Sequence, residues 1–347
     1  MPLTVVATRG TRPESRHRVH VAVVDPDGRL VASAGDPDLV TFWRSAAKPF
    51  QAIPLVADGA AARYRFDDRD LALACASHSS EPVHLDLAAG MLAKLGLGEE
   101  TLACGPHPPL SPEVAEYVVR HGVTMTPRWS NCSGKHAGML ALALFHGWPL
   151  EGYHREGHPV QRRILAEIER WTARRAGTVG LAVDGCTAVT FALPLRAMAG
   201  AYARLGTSDE AGARMLRRAM GEHPVLVAGQ GRLCTELGLA TRGAVIAKVG
   251  ADGIYCAAIP AAGLGIALKV EDGDMRSAPP ALLAVLADLS RGRDLGFDPD
   301  TLPASVTRHA APPIVNTRGA VTGTLEARGG LRFSARPGVK TMSRTRP

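Results

Sequence analysis

Strand-like patterns stand at both ends of this 347-residue chain and helical patterns fill the middle, which restricts the architectures open to it. Near the start, LTVVAT and HVAVVDPDGRLVASAG set Asp27-Gly28 between Val-rich runs, a hairpin signal that predicts two or three antiparallel strands within residues 3–34. SAAKPFQAIPLVADG, VHLDLAAGMLAKLG, SPEVAEYVVRHG, SGKHAGMLALALFHG, HPVQRRILAEIERWTARRAG and FALPLRAMAGAYARLG carry apolar residues at helical spacing and mostly end in Gly. Strand patterns return in AVIAKVG, IYCAAI and LGIALKVEDG, and a last helix, PPALLAVLADLSRG, precedes a Pro/Gly-rich end. The expectation is an α/β fold in one domain over residues 1–347. A largely antiparallel sheet is built from both termini, roughly 1–45 and 240–335, with helices packed on it. A helical lobe spans roughly 45–240, and residues 336–347 form a basic tail.

The net charge of +7 invites a nucleic-acid partner until the charges are located. Residues 301–347 hold eight Lys/Arg against one acid, Glu326, so they account for the whole excess and residues 1–300 are balanced. No nucleic acid is expected as partner. MPLTVVATRGTRPESR lacks the apolar core of a signal peptide, and AGMLALALF is far shorter than the roughly 20 residues that span a bilayer. A cytoplasmic protein without a membrane partner is expected, and its six scattered cysteines then read as free thiols.

Four segments could carry chemistry. In RSAAKPFQ, a helix beginning near Ser45 would bring Ser45 and Lys48 onto one face; the pair is either solvent-facing or a nucleophile with its own base. In CASHSSEPVH, small and polar residues follow an apolar run, which fits an active-site loop around Ser77, and also fits an N-cap at Ser79 or Ser80. NCSGKHAGML fails as a phosphate loop, because Trp129 and His136 stand where Gly and Ser/Thr are required. Ser133 can instead cap the following helix, leaving Cys132 at its positive end, where a thiolate is favoured. Cys132 and the distant Cys186 of VDGCT are either metal ligands or buried thiols. Lys269, in the apolar GIALKV, is by itself most simply a solvent-facing lysine.

Taken together these segments resemble the bacterial-type asparaginase II family, the Rhizobium-like L-asparaginases, related in fold to serine β-lactamases, penicillin-binding proteins and glutaminases. RSAAKPFQ is similar to that family's RSxxKPFQ, CASHSSEPVH to CASHxxExxH, NCSGKHAGML to NCSGKHxGML, VDGCT to its DGC segment and LKVEDGD to KxxDG. The likeness runs from ATRG to about residue 290. The sequence departs from it after Cys186, where the family usually has Gly and Pro.

The resemblance implies hydrolysis of L-asparagine to L-aspartate and ammonia through a covalent acyl-enzyme, in a homodimer. Ser45 would be the nucleophile with Lys48 as base, Ser77 with Lys269 a second Ser-Lys pair, and Cys132, Lys135 and Cys186 the ligands of a zinc ion. Arg44, His136 and Asp184 would lie close by or contact substrate. Lysine ligates only as the neutral amine, and losing its proton at pH 7 costs about 4.6 kcal/mol, so two thiolates must supply most of the affinity. A β-lactamase or penicillin-binding enzyme also opens with SxxK, but neither S-D-N nor K-T-G occurs here. Glutaminase chemistry is a close alternative, since one methylene gives only about 1–3 kcal/mol of discrimination. A zinc-containing amide-binding protein without turnover is the alternative outside enzymology.

Overall fold

The computed structural model describes residues 2–334. The expected basic tail at 336–347 lies outside the described residues.

Strands from both ends of the sequence meet in one sheet. β1 (Thr4–Arg9), β2 (Arg12–Val24) and β3 (Leu30–Ala34) come from the start. The middle of the chain contributes β4 (Val40–Phe42), β5 (Gly180–Val183) and β6 (Val189–Pro194), and the late part β7 (Ile246–Val249), β8 (Ile254–Ile259) and β9 (Leu264–Val270). β10 (Pro313–Val315), β11 (Val321–Arg328) and β12 (Arg332–Phe333) end the described chain. The large sheet runs β10-β11-β1-β2-β9-β8-β7, with β3 pairing β2 and β12. Its pairings are antiparallel, as expected of strands whose two faces alternate.

Alternation along β2 divides the core. Val19, Val21 and Val23 pack with Leu282 and Leu286 of the helix Ala278–Ser290, whereas Ala22 and Val24 face the helical region between the two sheet-forming segments. Small residues on that second face let a helix lie flat on the sheet. At Gly265 of β9 a Cβ would come within 1.9 Å of the carbonyl oxygen of Ala199, in the helix Leu195–Thr207.

The middle is not wholly helical. FALPL, expected within a helix, ends as strand β6, and the helix begins only at Leu195. VTFALP is a short apolar run, which periodicity alone cannot assign, and Pro194 marks the junction by removing a donor. β6 lies between β4 and β5 in a small antiparallel sheet. β4 leads directly to Arg44 and Ser45, and β5 to Asp184 and Cys186.

Candidate active site

A 3₁₀ turn, Arg44–Ala47, runs into the helix Lys48–Ala57, with the Lys48 N–H donating to the Ser45 carbonyl. Arg44 enters this turn at φ +52°, a backbone conformation costly for a residue with a Cβ. Its guanidinium is held by Asp184 at 2.8 Å and by Asp252. Burial pushes the Asp184 carboxyl up, but Lys135 and Arg44 overcome this and hold it below the usual carboxylate range. Ser45 is half-buried, one turn from Lys48.

Lys48 is fully buried and its Nζ donates to three oxygens: the carbonyls of Ala76 and Asn131 and the Ser77 hydroxyl, the last at 3.0 Å. Three acceptors match the three N–H groups of an ammonium. The described hydrogen bonds do not join Lys48 to Ser45.

Ser77 has a second lysine, and it is not the expected one. Lys248 Nζ lies 2.8 Å from Ser77 Oγ and donates to the Val249 carbonyl at 2.8 Å. Lys269 instead donates to the carbonyls of Asp252 and Val270, at the end of its strand. The cause is sheet geometry. Lys248 and Lys269 both face the helical region, but Lys248 pairs with Cys256 whereas Lys269 pairs with Ile254, one row nearer the turn and two strands away from β7. Burial, and then the charge of Lys48, drive Lys248 well below the usual lysine range.

The loop after Cys75 is pinned by its neighbours. His78 Nδ1 accepts from the Ser80 N–H at 3.2 Å, which leaves Nε2–H to donate to Ser133 Oγ at 2.9 Å. Burial holds this imidazole neutral. Neither Ser79 nor Ser80 caps the helix Pro82–Leu95: Ser79 Oγ donates to the Ala228 carbonyl and Ser80 Oγ to that of Trp129, while Glu81 stands at the N-cap. Ser133 is likewise no cap but the first residue of the helix Ser133–His146, with Cys132 preceding it.

Gly134 lets that helix approach the site, because a Cβ there would come within 2.4 Å of the Leu73 carbonyl oxygen. Lys135 and Cys186 then meet, Nζ to Sγ 2.9 Å, beside the buried Cys132. The thiolate falls on a different cysteine from the one expected. Contact with Cys132, aided by Lys135, lowers Cys186 far below the thiol range, while that same contact and burial push Cys132 to about 12, its Sγ lying 3.0 Å from Asn131 Oδ1. Burial works against the Lys135 ammonium, but Cys186 and Cys132 more than compensate and raise it.

Among the described residues, groups of three or more His, Cys, Asp or Glu able to hold a metal are absent. Two sulfurs and one amine, buried together, are nonetheless a donor set suited to zinc once Lys135 gives up its proton. His136 follows Lys135 in the same helix and is buried. Its Nδ1 meets the Tyr153 hydroxyl at 2.6 Å, the same oxygen accepts from the Ala103 N–H, and the buried Nε2 finds no partner among the described residues.

Lys248 and Tyr153 are the site residues that motif reading missed. Lys248 had the same signal as Lys269, a lysine in an apolar strand, in AVIAKVG. Tyr153 had none.

The buried Ser-Lys constellation sits on an α/β frame, and comparison with known sequences gives the chain a family. The chain belongs to the L-asparaginase II family, whose sequence profile matches residues 5–327. No curated protein sequence gives a significant match. Among solved structures, the native form of Mglu aligns at 19% identity and a TM-score of 0.41, covering 74% of this chain and 59% of Mglu. The chain thus spans about three fifths of that protein's length. A β-lactamase from Mycobacterium bovis aligns at 14% identity and 0.37, covering 78% of this chain and 94% of its own. Simvastatin synthase from Aspergillus terreus aligns at 12% and 0.29, covering 73% and 84%. Family membership rests on the sequence profile alone. No helix among the described residues is long and apolar enough to cross a membrane.

Proposed function

We propose that the chain hydrolyses the side-chain amide of L-asparagine to L-aspartate and ammonia through a serine ester. The observation that carries this reading is the Lys48–Ser77–Lys248 chain, one turn from the half-buried Ser45. With Lys248 as the free amine, the Ser77 O–H donates to its Nζ lone pair. As Ser77 passes that proton to Lys248 it receives one from Lys48, and Lys48 becomes the amine that takes the proton of Ser45. Ser45 Oγ attacks the amide carbon. The relay run backwards protonates the leaving nitrogen, and water then cleaves the ester.

Arg44, Asp184 and the free Nε2 of His136 supply one cation, one anion and one donor for the amino-acid end of the substrate. Zinc, held by Cys132, Lys135 and Cys186, would act as a Lewis acid that orients a substrate oxygen; the proton relay does not pass through it. A cytoplasmic homodimer is part of the proposal by resemblance.

A second reading makes Ser77 the nucleophile, and the contact of its Oγ with two lysines favours it. Acid-quenched turnover followed by peptide mapping separates the two. An acyl adduct on the peptide containing Ser45 supports the first reading, one on Ser77 the second, and turnover without either ester contradicts both.

A further inference from the structure

Arg232 precedes the helix Leu233–Ala240 and has no part in the motifs that mark the site. Its NH1 donates to the carbonyl of Ser77 and, at 3.1 Å, to that of Ala228. The Ser77 N–H donates to the Val227 carbonyl at 3.0 Å and Ser79 Oγ to the Ala228 carbonyl at 2.8 Å. The guanidinium therefore closes a set of bonds that holds residues 77–79 against 227–228. It also lines a cavity of about 240 Å³ with Cys234, Val249, Tyr255 and His309. Those neighbours lie on the side of β7 and β8 away from Lys248, because Ala247 and Tyr255 belong to the core around the helix Ala278–Ser290.

We propose that Arg232 is a positioning residue for this reaction: its guanidinium fixes the main chain of Ser77, and its permanent charge opposes a second charge on Lys248. The groups around Lys248 agree with this. Lys48 and Arg232 are the cations near it; Cys75, Cys132 and Cys234 come from neighbouring segments, and Cys256 is its partner on β8. Burial and Lys48 act on Lys248 most strongly, and Arg232 acts in the same direction. Arginine suits the task because it does not lose its proton in the range where lysine does.

The inference rests on Lys248 serving as the base, so kcat/KM is measured against pH for the wild type, Arg232→Gln, Arg232→Lys and Lys248→Met. In Arg232→Gln the acid limb moves up by about one pH unit, a ~10-fold loss on the acid side that recovers as the pH rises. Arg232→Lys keeps the charge and leaves the limb at its wild-type position, which holds as a test even if Arg232→Gln fails to fold. An acid limb left at its wild-type position in Arg232→Gln, whatever the size of the loss, or a limb displaced by a unit in Arg232→Lys, overturns the inference. Turnover retained in Lys248→Met sinks the underlying relay instead.

Discussion

The amine of Lys248 lies 2.8 Å from the hydroxyl of Ser77, across 171 positions of sequence. A buried lysine in contact with a buried serine, and close to a second lysine, meets the requirement for a general base near neutral pH: the free amine is favoured.

Lys248→Met is expected to lower kcat by at least ~100-fold, the scale of a lost general base. Lys269→Met is expected to stay within about threefold of wild type, a barrier change under 1 kcal/mol. Steady-state ammonia release from L-asparagine checks both. Loss in the second variant with activity in the first would restore the pairing expected from the motifs.

The same Lys248→Met variant is expected to be more stable than wild type at neutral pH. The folded state depresses the lysine pKa well below its unfolded value of about 10.4. Between those two values the unfolded chain binds a proton that the folded chain refuses. Lys248 thus makes stability fall as pH drops through that window, and methionine removes the dependence. Thermal unfolding at neutral pH and near pH 10.5 tests it: the Tm gain of the variant is larger at neutral pH, and an equal gain at both contradicts the cause given.

How much of this was legible in the sequence depended on the kind of signal. The hairpin at Asp27-Gly28 and the apolar alternation of LGIALKV fixed the two-ended sheet. Ser45, Lys48 and Ser77 stand in short contiguous motifs, and the fold brings Lys48 and Ser77 together. The choice between Lys248 and Lys269 was not local, because it turns on which strand lies at the sheet edge beside Ser77. The strand β6 was hidden for another reason, since a short, mostly apolar run before a helix has no distinguishing period. Likewise the lowering of Cys186 rather than Cys132 follows from a contact across 54 positions, which the helix-end argument at Cys132 could not include.

Gly134→Ala tests the close approach that brings Lys135 to Cys186. A methyl group there meets the Leu73 carbonyl at 2.4 Å, main chain that cannot rotate away. Destabilisation of about 1–3 kcal/mol is expected by urea unfolding. An unchanged midpoint would mean that the helix Ser133–His146 and the helix Asp68–Ala74, which carries Leu73, separate without cost.

Zinc binding is expected at one ion per chain by elemental analysis, with loss in Cys186→Ser and in Lys135→Met. Binding should weaken as pH falls, because Cys132 and Lys135 must give up protons to bind the metal and regain them when it leaves. Equal metal content in wild type and Cys186→Ser would remove zinc from the proposed site.

Ammonia release from L-asparagine by the purified protein and its Ser45→Ala variant, with L-glutamine in parallel, bears most directly on the proposed activity. The account predicts release from asparagine that disappears in the variant. No release from the wild type, or undiminished release from Ser45→Ala, would contradict it.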